Sequence, residues 1–405
     1  MARSRPVAAF SVALFNSALL LRLMNLAIFF DPLREELLST TASATVLAAY
    51  ATPFLNSFPD WRAADLALIG LNEWRGSAAG APAVHGTDEV RRRFYQLQKG
   101  TGPARIADLG NLRPGLTLDD TYQRLREIIA ALLEHGTVPI LLGGSHDLDY
   151  GQFLAYETLD RPVSFAMVDA RVDMAEQDCA APEESHLRRM LVHEPSFLFN
   201  FAQLAHQQYL VAPDVLAALE KLHFETLRVG QVRDDIRQAE PLLRQADFVS
   251  FDVAALRWSD APGYYPANPF GLTNEEAAKL AWYAGHNDQL SSLGLYGYRP
   301  DHDTHGLAAA TLATMLWYFV EGYYHRRRET DFQSRRFLRY AVGLPGTPAK
   351  LVFYKSKRTE KWWLEVESMA DSEVKRIVPC SYEDYFRAAQ GDLPNRWILT
   401  QALLG

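Results

Sequence analysis

Residues 138–147 read VPILLGGSHD. Five apolar residues bounded by glycine are too few for a helix and match a strand buried on both faces. The glycine pair then turns the chain, so Ser145, His146 and Asp147 stand at the strand's carboxyl end. The form recurs in ADLALIGL (64–71), RIADLG (105–110), PVSFAMVDAR (162–171), ETLRVGQV (225–232), DFVSFDVAAL (247–256) and LSSLGLYGYRP (290–300). Helical patterns lie between these runs. DDTYQRLREIIAALLEHG (119–136) has apolar residues three and four apart and stops at Gly136, and THGLAAATLATMLWYFVEGYY (304–324) is a second case. Buried strands alternating with helices predict an α/β fold with a central, mostly parallel sheet and helices on both faces.

The last 70 residues differ. AKLVFYKSKRTEKWWLEVE (349–367) reads as a hairpin around a basic turn, and PCSYEDYFRAAQGDLPNRW (379–397) as a short helix and a closing loop. Trp362 and Trp363 are expected in the core rather than as a stacking platform. The arginines at 326–328, 335, 336 and 339 follow a helix end, where cations suit the helix dipole and a solvated face.

Composition excludes several classes. The chain has 405 residues, 41 Lys+Arg against 49 Asp+Glu and a net charge of −8, so it has no general attraction for nucleic acid or anionic lipid. The two cysteines, Cys179 and Cys380, make neither a disulfide framework nor a zinc cluster and fit a reducing, cytoplasmic setting. Residues 10–30 are apolar enough to mimic a signal or membrane segment, but Arg22 lies inside the run, with Asn16 and Asn25. Residues 1–23 are therefore read as an N-terminal extension, either upstream of a start at Met24 or signal-like, and no membrane partner is expected.

In a parallel sheet, functional residues gather at the carboxyl ends of strands. Three such ends carry metal-type ligands: Gly143-Gly144-Ser145-His146, Asp169-Ala170-Arg171-Val172-Asp173 and Ser250-Phe251-Asp252-Val253-Ala254. His146, Asp169, Asp173 and Asp252 offer one nitrogen and three carboxylates, a set that suits Mn²⁺ better than structural Zn²⁺. Each is also open to a plainer reading, because Asp at a strand end commonly caps the next helical turn. No nucleophile elbow, Walker loop or dinucleotide fingerprint is present.

These three motifs resemble the Gly-Gly-Asp-His, Asp-x-His-x-Asp and Ser-Phe-Asp-x-Asp motifs of the ureohydrolase family of arginase, agmatinase and formimidoylglutamase. The resemblance covers roughly residues 60–325, including LALIGLNEWRGS with GTDEVRRRFYQL (66–97), ADLGNL (107–112) and PANPFGLTNEE (266–276). It implies a three-layer arginase-like domain over 24–330, with 331–405 as an extension packed on it, and a homo-oligomer. It also implies a centre of two Mn²⁺ ions. His146, Asp169, Asp173 and Asp252 match every protein ligand of the first ion, while the two ligand positions unique to the second hold Arg171 and Ala254. One Mn²⁺ is therefore expected, or none in a non-catalytic homologue. Arg171 is expected to stand in electrostatically for the missing ion.

His186, thirteen residues beyond Asp173, matches the family's proton shuttle, with His193 as its rival. Asp169 is assigned to catalysis and Thr273 to substrate binding by the same resemblance. The Glu that grips a guanidinium is replaced by Gly297, which argues against arginine or agmatine; Asp301 and Asp303 are the nearby substitutes. Two functions are carried forward. One is a divergent hydrolase of a linear amidine C–N bond, formimidoylglutamate favoured, acting by metal-activated water on a small-molecule substrate. The other is a non-catalytic, arginase-like binding protein.

Overall fold

The computed structural model describes residues 24–38, 43–176, 180–343, 350–368 and 375–404. Residues 1–23, read as an N-terminal extension, and Cys179 lie outside the described residues. Among the described residues no helix is long and apolar enough to cross a membrane.

A ten-stranded sheet forms the centre. In chain order its strands are β1 (Phe30–Asp31), β2 (Thr52–Pro53), β3 (Leu66–Gly70), β4 (Ile106–Leu112), β5 (Val138–Leu142), β6 (Val163–Val168), β7 (Leu198–His206), β8 (Glu225–Arg228), β9 (Phe248–Asp252) and β10 (Ser292–Tyr296). They lie in the order β1-β4-β3-β5-β10-β9-β6-β7-β8, with β2 also on β4. All pairings are parallel except that of β1 with β4. Successive strand residues feed opposite cores: Leu66 and Leu68 of β3 enter one cluster, Ala67 and Ile69 the other. The first core takes the helices Asn274–Gly285 and Leu307–Tyr324, and the second takes Leu118–His135 and Asp149–Thr158. The sheet is therefore buried on both faces, which is why its strands read as continuous apolar runs.

The strand β7 was not foreseen, because buried Asn200, Gln203 and His206 interrupt its apolar pattern. In the run 225–232, β8 ends at Arg228 and a short helix, Val229–Asp234, replaces the rest of the expected strand.

The C-terminal region is larger than a hairpin. The expected pair, β12 (Lys350–Ser356) and β13 (Trp362–Glu367), is flanked by β11 (Phe337–Gly343) and β14 (Lys375–Cys380) in a four-stranded antiparallel sheet. β11 exposes much of its surface, and β14 carries Pro379 near its end, so neither shows the buried-strand pattern. The expected closing loop contains the helix Asn395–Leu404. Trp362 and Trp363 are buried, as expected. Arg244 joins this sheet to the helix Ala239–Gln245: its guanidinium lies over Trp363 and donates to the carbonyls of Trp362 (2.9 Å) and Cys380 (3.2 Å). Arg326 departs from the solvated face assigned to its neighbours, because its side chain reaches the Gly285 carbonyl at 2.8 Å.

At one edge of the sheet a fully buried ion pair ties a helix to β4. Arg91, in the helix Gly86–Gln96, binds Asp108 through Nε (2.8 Å) and Nη2 (2.9 Å). Its Nη1 donates to Asn111 (2.7 Å), and the Tyr95 hydroxyl donates to Asp108 (2.6 Å). Removing one partner leaves the other charge buried and unpaired, at about 3–5 kcal/mol. Asp108→Ala is expected to lose about that much stability in a urea titration; a loss below about 1 kcal/mol, the level of an exposed pair, would contradict this account.

Candidate metal centre

The turn after β5 sets the first ligand. Gly143 (φ +90) and Gly144 (φ +77) adopt left-handed backbone, and a Cβ on Gly143 would lie 2.8 Å from the Leu71 carbonyl oxygen. The turn is tied to the end of β10, Gly143 N donating to Leu295 O (2.8 Å) and Gly297 N to Gly144 O (2.9 Å). His146 then opens a short 3₁₀ turn with its ring directed inward, and its Nε2 is 2.7 Å from Ser250 Oγ on β9. That contact leaves Nδ1 facing the carboxylates.

The carboxylates come from β6 and β9. Val168 pairs with Phe251 in register, so Asp169 and Asp252 emerge side by side. Asp169 is oriented by the Arg171 amide (3.2 Å) and Asp252 by the Ala254 amide (2.6 Å). Asp252 thus caps the following turn, as the plainer reading held, and still reaches the cluster. Asp173 is fastened to the helix Pro182–Leu191 by Leu187 N donating to its carbonyl (3.1 Å).

These residues converge. His146 Nδ1 lies 3.4 Å from Asp169, 3.3 Å from Asp173 and 3.4 Å from Asp252, and all four side chains are at least nine-tenths buried. Burial opposes a charge on His146, but the close approach of Asp169 and Asp173 and the nearby charge of Asp252 outweigh it and raise the imidazole's pKa well above its usual value. Burial, then the charge of Asp169, pushes both Asp173 and Asp252 up from the ordinary carboxylate range. Asp173 Oδ2 is buried without a hydrogen-bond partner. Three buried carboxylates, one unpartnered, around a single imidazole nitrogen carry an excess of negative charge that a divalent cation compensates. Oxygen-rich ligation with one nitrogen fits Mn²⁺.

The cluster opens into a cavity of about 290 Å³ whose lining includes Trp74, Ser77, Arg171, Glu183, Tyr264, Gly297 and Arg299. Arg171 lines it, but the expected pairing is not formed: among the described residues its guanidinium makes no ion pair with Asp169, Asp173 or Asp252. His186 joins the cluster, its Nε2 3.7 Å from Asp173, but it is not among the cavity-lining residues. His193 stands apart, bound to Tyr150 (3.1 Å) and near Glu157 (3.3 Å).

Thr273 is not brought to the cavity. Its hydroxyl accepts from Glu276 N (3.2 Å) in a capping box that starts the helix Asn274–Gly285, so the resemblance to a substrate segment is met here by a helix cap. Asp301 and Asp303 are also committed elsewhere, to Ala83 N (2.8 Å) and to Tyr298 with Ala309 N (2.9 Å each). Sequence reasoning missed Asp149 and Glu183. Asp149 lies one turn beyond His146, a spacing that was readable; Glu183 carries no such signal.

The model of the arginase family matches residues 64–320, and the chain belongs to that family. Among curated proteins it is similar to the formimidoylglutamase of Streptococcus gordonii, 22% identical over 276 residues covering 64% of this chain and 84% of that protein. It is likewise similar to the formimidoylglutamase of Geobacillus thermodenitrificans, 25% identical over 278 residues covering 66% and 83%. Among solved structures the fold matches Trypanosoma cruzi formiminoglutamase with Mn²⁺ at a TM-score of 0.62, 20% identical, over 70% of this chain and 99% of that one. An agmatine ureohydrolase of Thermoplasma volcanium matches at 0.57, 17% identical, over 72% and 97%.

Gly297 has φ +78, and a Cβ there would lie 2.8 Å from both carboxylate oxygens of Asp252. Gly297→Ala therefore incurs left-handed backbone strain of about 1–2 kcal/mol and displaces a ligand. It is expected to lower both the thermal midpoint and Mn²⁺ affinity, read by calorimetry and metal titration; unchanged affinity would separate Gly297 from the centre.

Proposed function

We propose that this chain is a metal-dependent ureohydrolase that hydrolyses the C–N bond of a linear amidine, with a formimidoylglutamate-like acid as substrate. The carrying observation is the convergence of Asp169, Asp173 and Asp252 on His146 Nδ1 at 3.3–3.4 Å. The family match and the formimidoylglutamase relatives support the same reading over a non-catalytic homologue.

A bound Mn²⁺ supplies a polarised water of lowered pKa. His146, Asp169, Asp173 and Asp252 would hold that ion, with Asp169 and Asp252 fixed in direction by the backbone amides they accept from. Hydrolysis joins the water oxygen to the amidine carbon, breaks the C–N bond and releases formamide and an amine. The departing nitrogen needs a proton. Glu183 lines the cavity, and burial raises its carboxyl pKa against the hydrogen bonds from Ser77 Oγ (2.9 Å) and Ala78 N (3.0 Å). These features support Glu183 as the proton carrier, in place of His186, which the family resemblance implied.

Substrate polarity follows from the lining. Gly297 offers no carboxylate for a guanidinium, whereas Arg171 and Arg299 both face the cavity. A guanidinium is matched by a carboxylate on the ligand. An acidic amidine is favoured over a cationic one, whose uncompensated charge costs about 2–5 kcal/mol.

Mn²⁺-loaded protein is expected to release formamide or ammonia from formimidoylglutamate, with little urea from arginine or agmatine. Glu183→Gln is expected to lower kcat about 10²–10⁴-fold with metal content unchanged. Purified protein that binds no Mn²⁺ and turns over no amidine in the panel would remove this reading.

A further inference from the structure

A second cavity, of about 950 Å³ against about 290 Å³ at the metal centre, lies where the C-terminal sheet meets the main domain. One wall comes from β8 and the helix Ala239–Gln245. The other comes from the β12–β13 turn, the start of the helix Tyr382–Gln390, and Arg396. No residue of the metal centre lines it. Its volume falls in the range of clefts that hold cofactors and other small molecules.

The depth of this cavity is rich in donors. Arg244 and Arg396 are almost wholly buried and Lys361 mostly so. Arg244 and Lys361 share one carboxylate, that of Glu240, at 2.8 Å and 3.9 Å. Arg396 lies 3.1 Å from Glu225 and 3.8 Å from Asp384, and Asp384 is already engaged by the Ser381 amide and hydroxyl (2.8 Å each). Arg244 Nη1 and Arg396 Nε are buried without a hydrogen-bond partner among the described residues. No lining carboxylate is left in that state, so the unspent buried groups are guanidinium nitrogens, which can only donate. Lys361 Nζ donates to the His286 carbonyl (3.2 Å) and has further N–H groups to offer. Burial, then the charge of Arg244, lowers the Lys361 pKa against the pull of Glu240. Oxygen acceptors with negative charge would complete this set.

The outer charges are paired close to home: Arg237 with Asp235 (2.8 Å), Arg387 with Glu383 (3.3 Å) and Lys355 with Glu360 (3.4 Å). What the outer part adds is a ring. Tyr382 lines the cavity and is 58% exposed, tilted against the buried Trp362 at 5.8 Å. Trp362 in turn stacks on Tyr385 at 4.7 Å, which holds the aromatic group in place. An exposed ring in a cavity with cations in its depth suits a flat molecule that carries an anionic group.

We propose that this cavity is a binding site for a nucleotide, its phosphate oxygens accepting from Lys361, Arg244 and Arg396 and its base stacking on Tyr382. The site is separate from the metal centre, and the inference does not rest on the proposed hydrolysis.

The test titrates full-length protein with AMP, GMP, CMP and UMP in a calorimeter, with adenosine and inorganic phosphate as half-ligands. At least one nucleotide is expected to bind at one per chain, and its nucleoside and phosphate at least about tenfold more weakly. Lys361→Gln is expected to weaken that nucleotide about tenfold or more, and Tyr382→Ala about fivefold or more. Should Lys361→Gln fail to fold, Lys355→Glu, which reverses a charge nearer the surface, takes its place. No saturable binding of any of the four overturns the proposal. So does equal binding by wild type and both variants, or inorganic phosphate binding as tightly as the nucleotides. Binding abolished by Arg299→Ala but untouched by Lys361→Gln would put the nucleotide in the metal-centre cavity and overturn it as well.

Discussion

Negative charge gathered inside the protein is the constraint around which the centre is organised. Asp169, Asp173 and Asp252 all approach one nitrogen of His146, and each is almost wholly removed from water. Carboxylates so placed repel one another and resist ionisation unless a cation is present. The supports around them are directional: the Ala254 amide on Asp252, the Arg171 amide on Asp169, and Ser250 on the far nitrogen of His146. These contacts fix the direction of the imidazole and of two of the carboxylates.

The sheet makes this convergence possible. Ligands separated by more than a hundred residues meet because β10 and β9 are inserted between β5 and β6. The chain turns out of these central strands at their carboxyl ends, so the cavity opens at one edge of a sheet covered on both faces. Gly297, at the end of β10, presses against Asp252 with no room for a side chain. Gly297 leaves that part of the cavity wall without a side chain, while Arg171 and Arg299 add positive charge to the wall.

Much of the architecture was legible in the sequence. Strands buried on both faces declare themselves as short apolar runs, and β3, β4, β5, β6, β9 and β10 all do so. The main failures had local causes. Polar residues inside β7 hide it, and the flanking strands of the C-terminal sheet are too exposed or too interrupted to read. The clustering of His146, Asp169, Asp173 and Asp252 was legible because all four stand at or within five residues of the end of such a strand. Thr273 misled because Gly-Leu-Thr at a helix start serves capping equally well.

The sequence by itself determined the strand-and-helix alternation and the residue types at the strand ends, Arg171 and Ala254 among them. Those are local properties, written in the spacing and chemistry of neighbouring residues. Only the tertiary structure decided that His186 lies in the ligand cluster while His193 does not, that Arg171 stops short of the carboxylates, and that Asp149 is buried without a hydrogen-bond partner. Each depends on the packing of elements far apart in the chain. Distances of 3–4 Å between charged groups govern electrostatics and ligation, and spacing along one strand or helix does not set them.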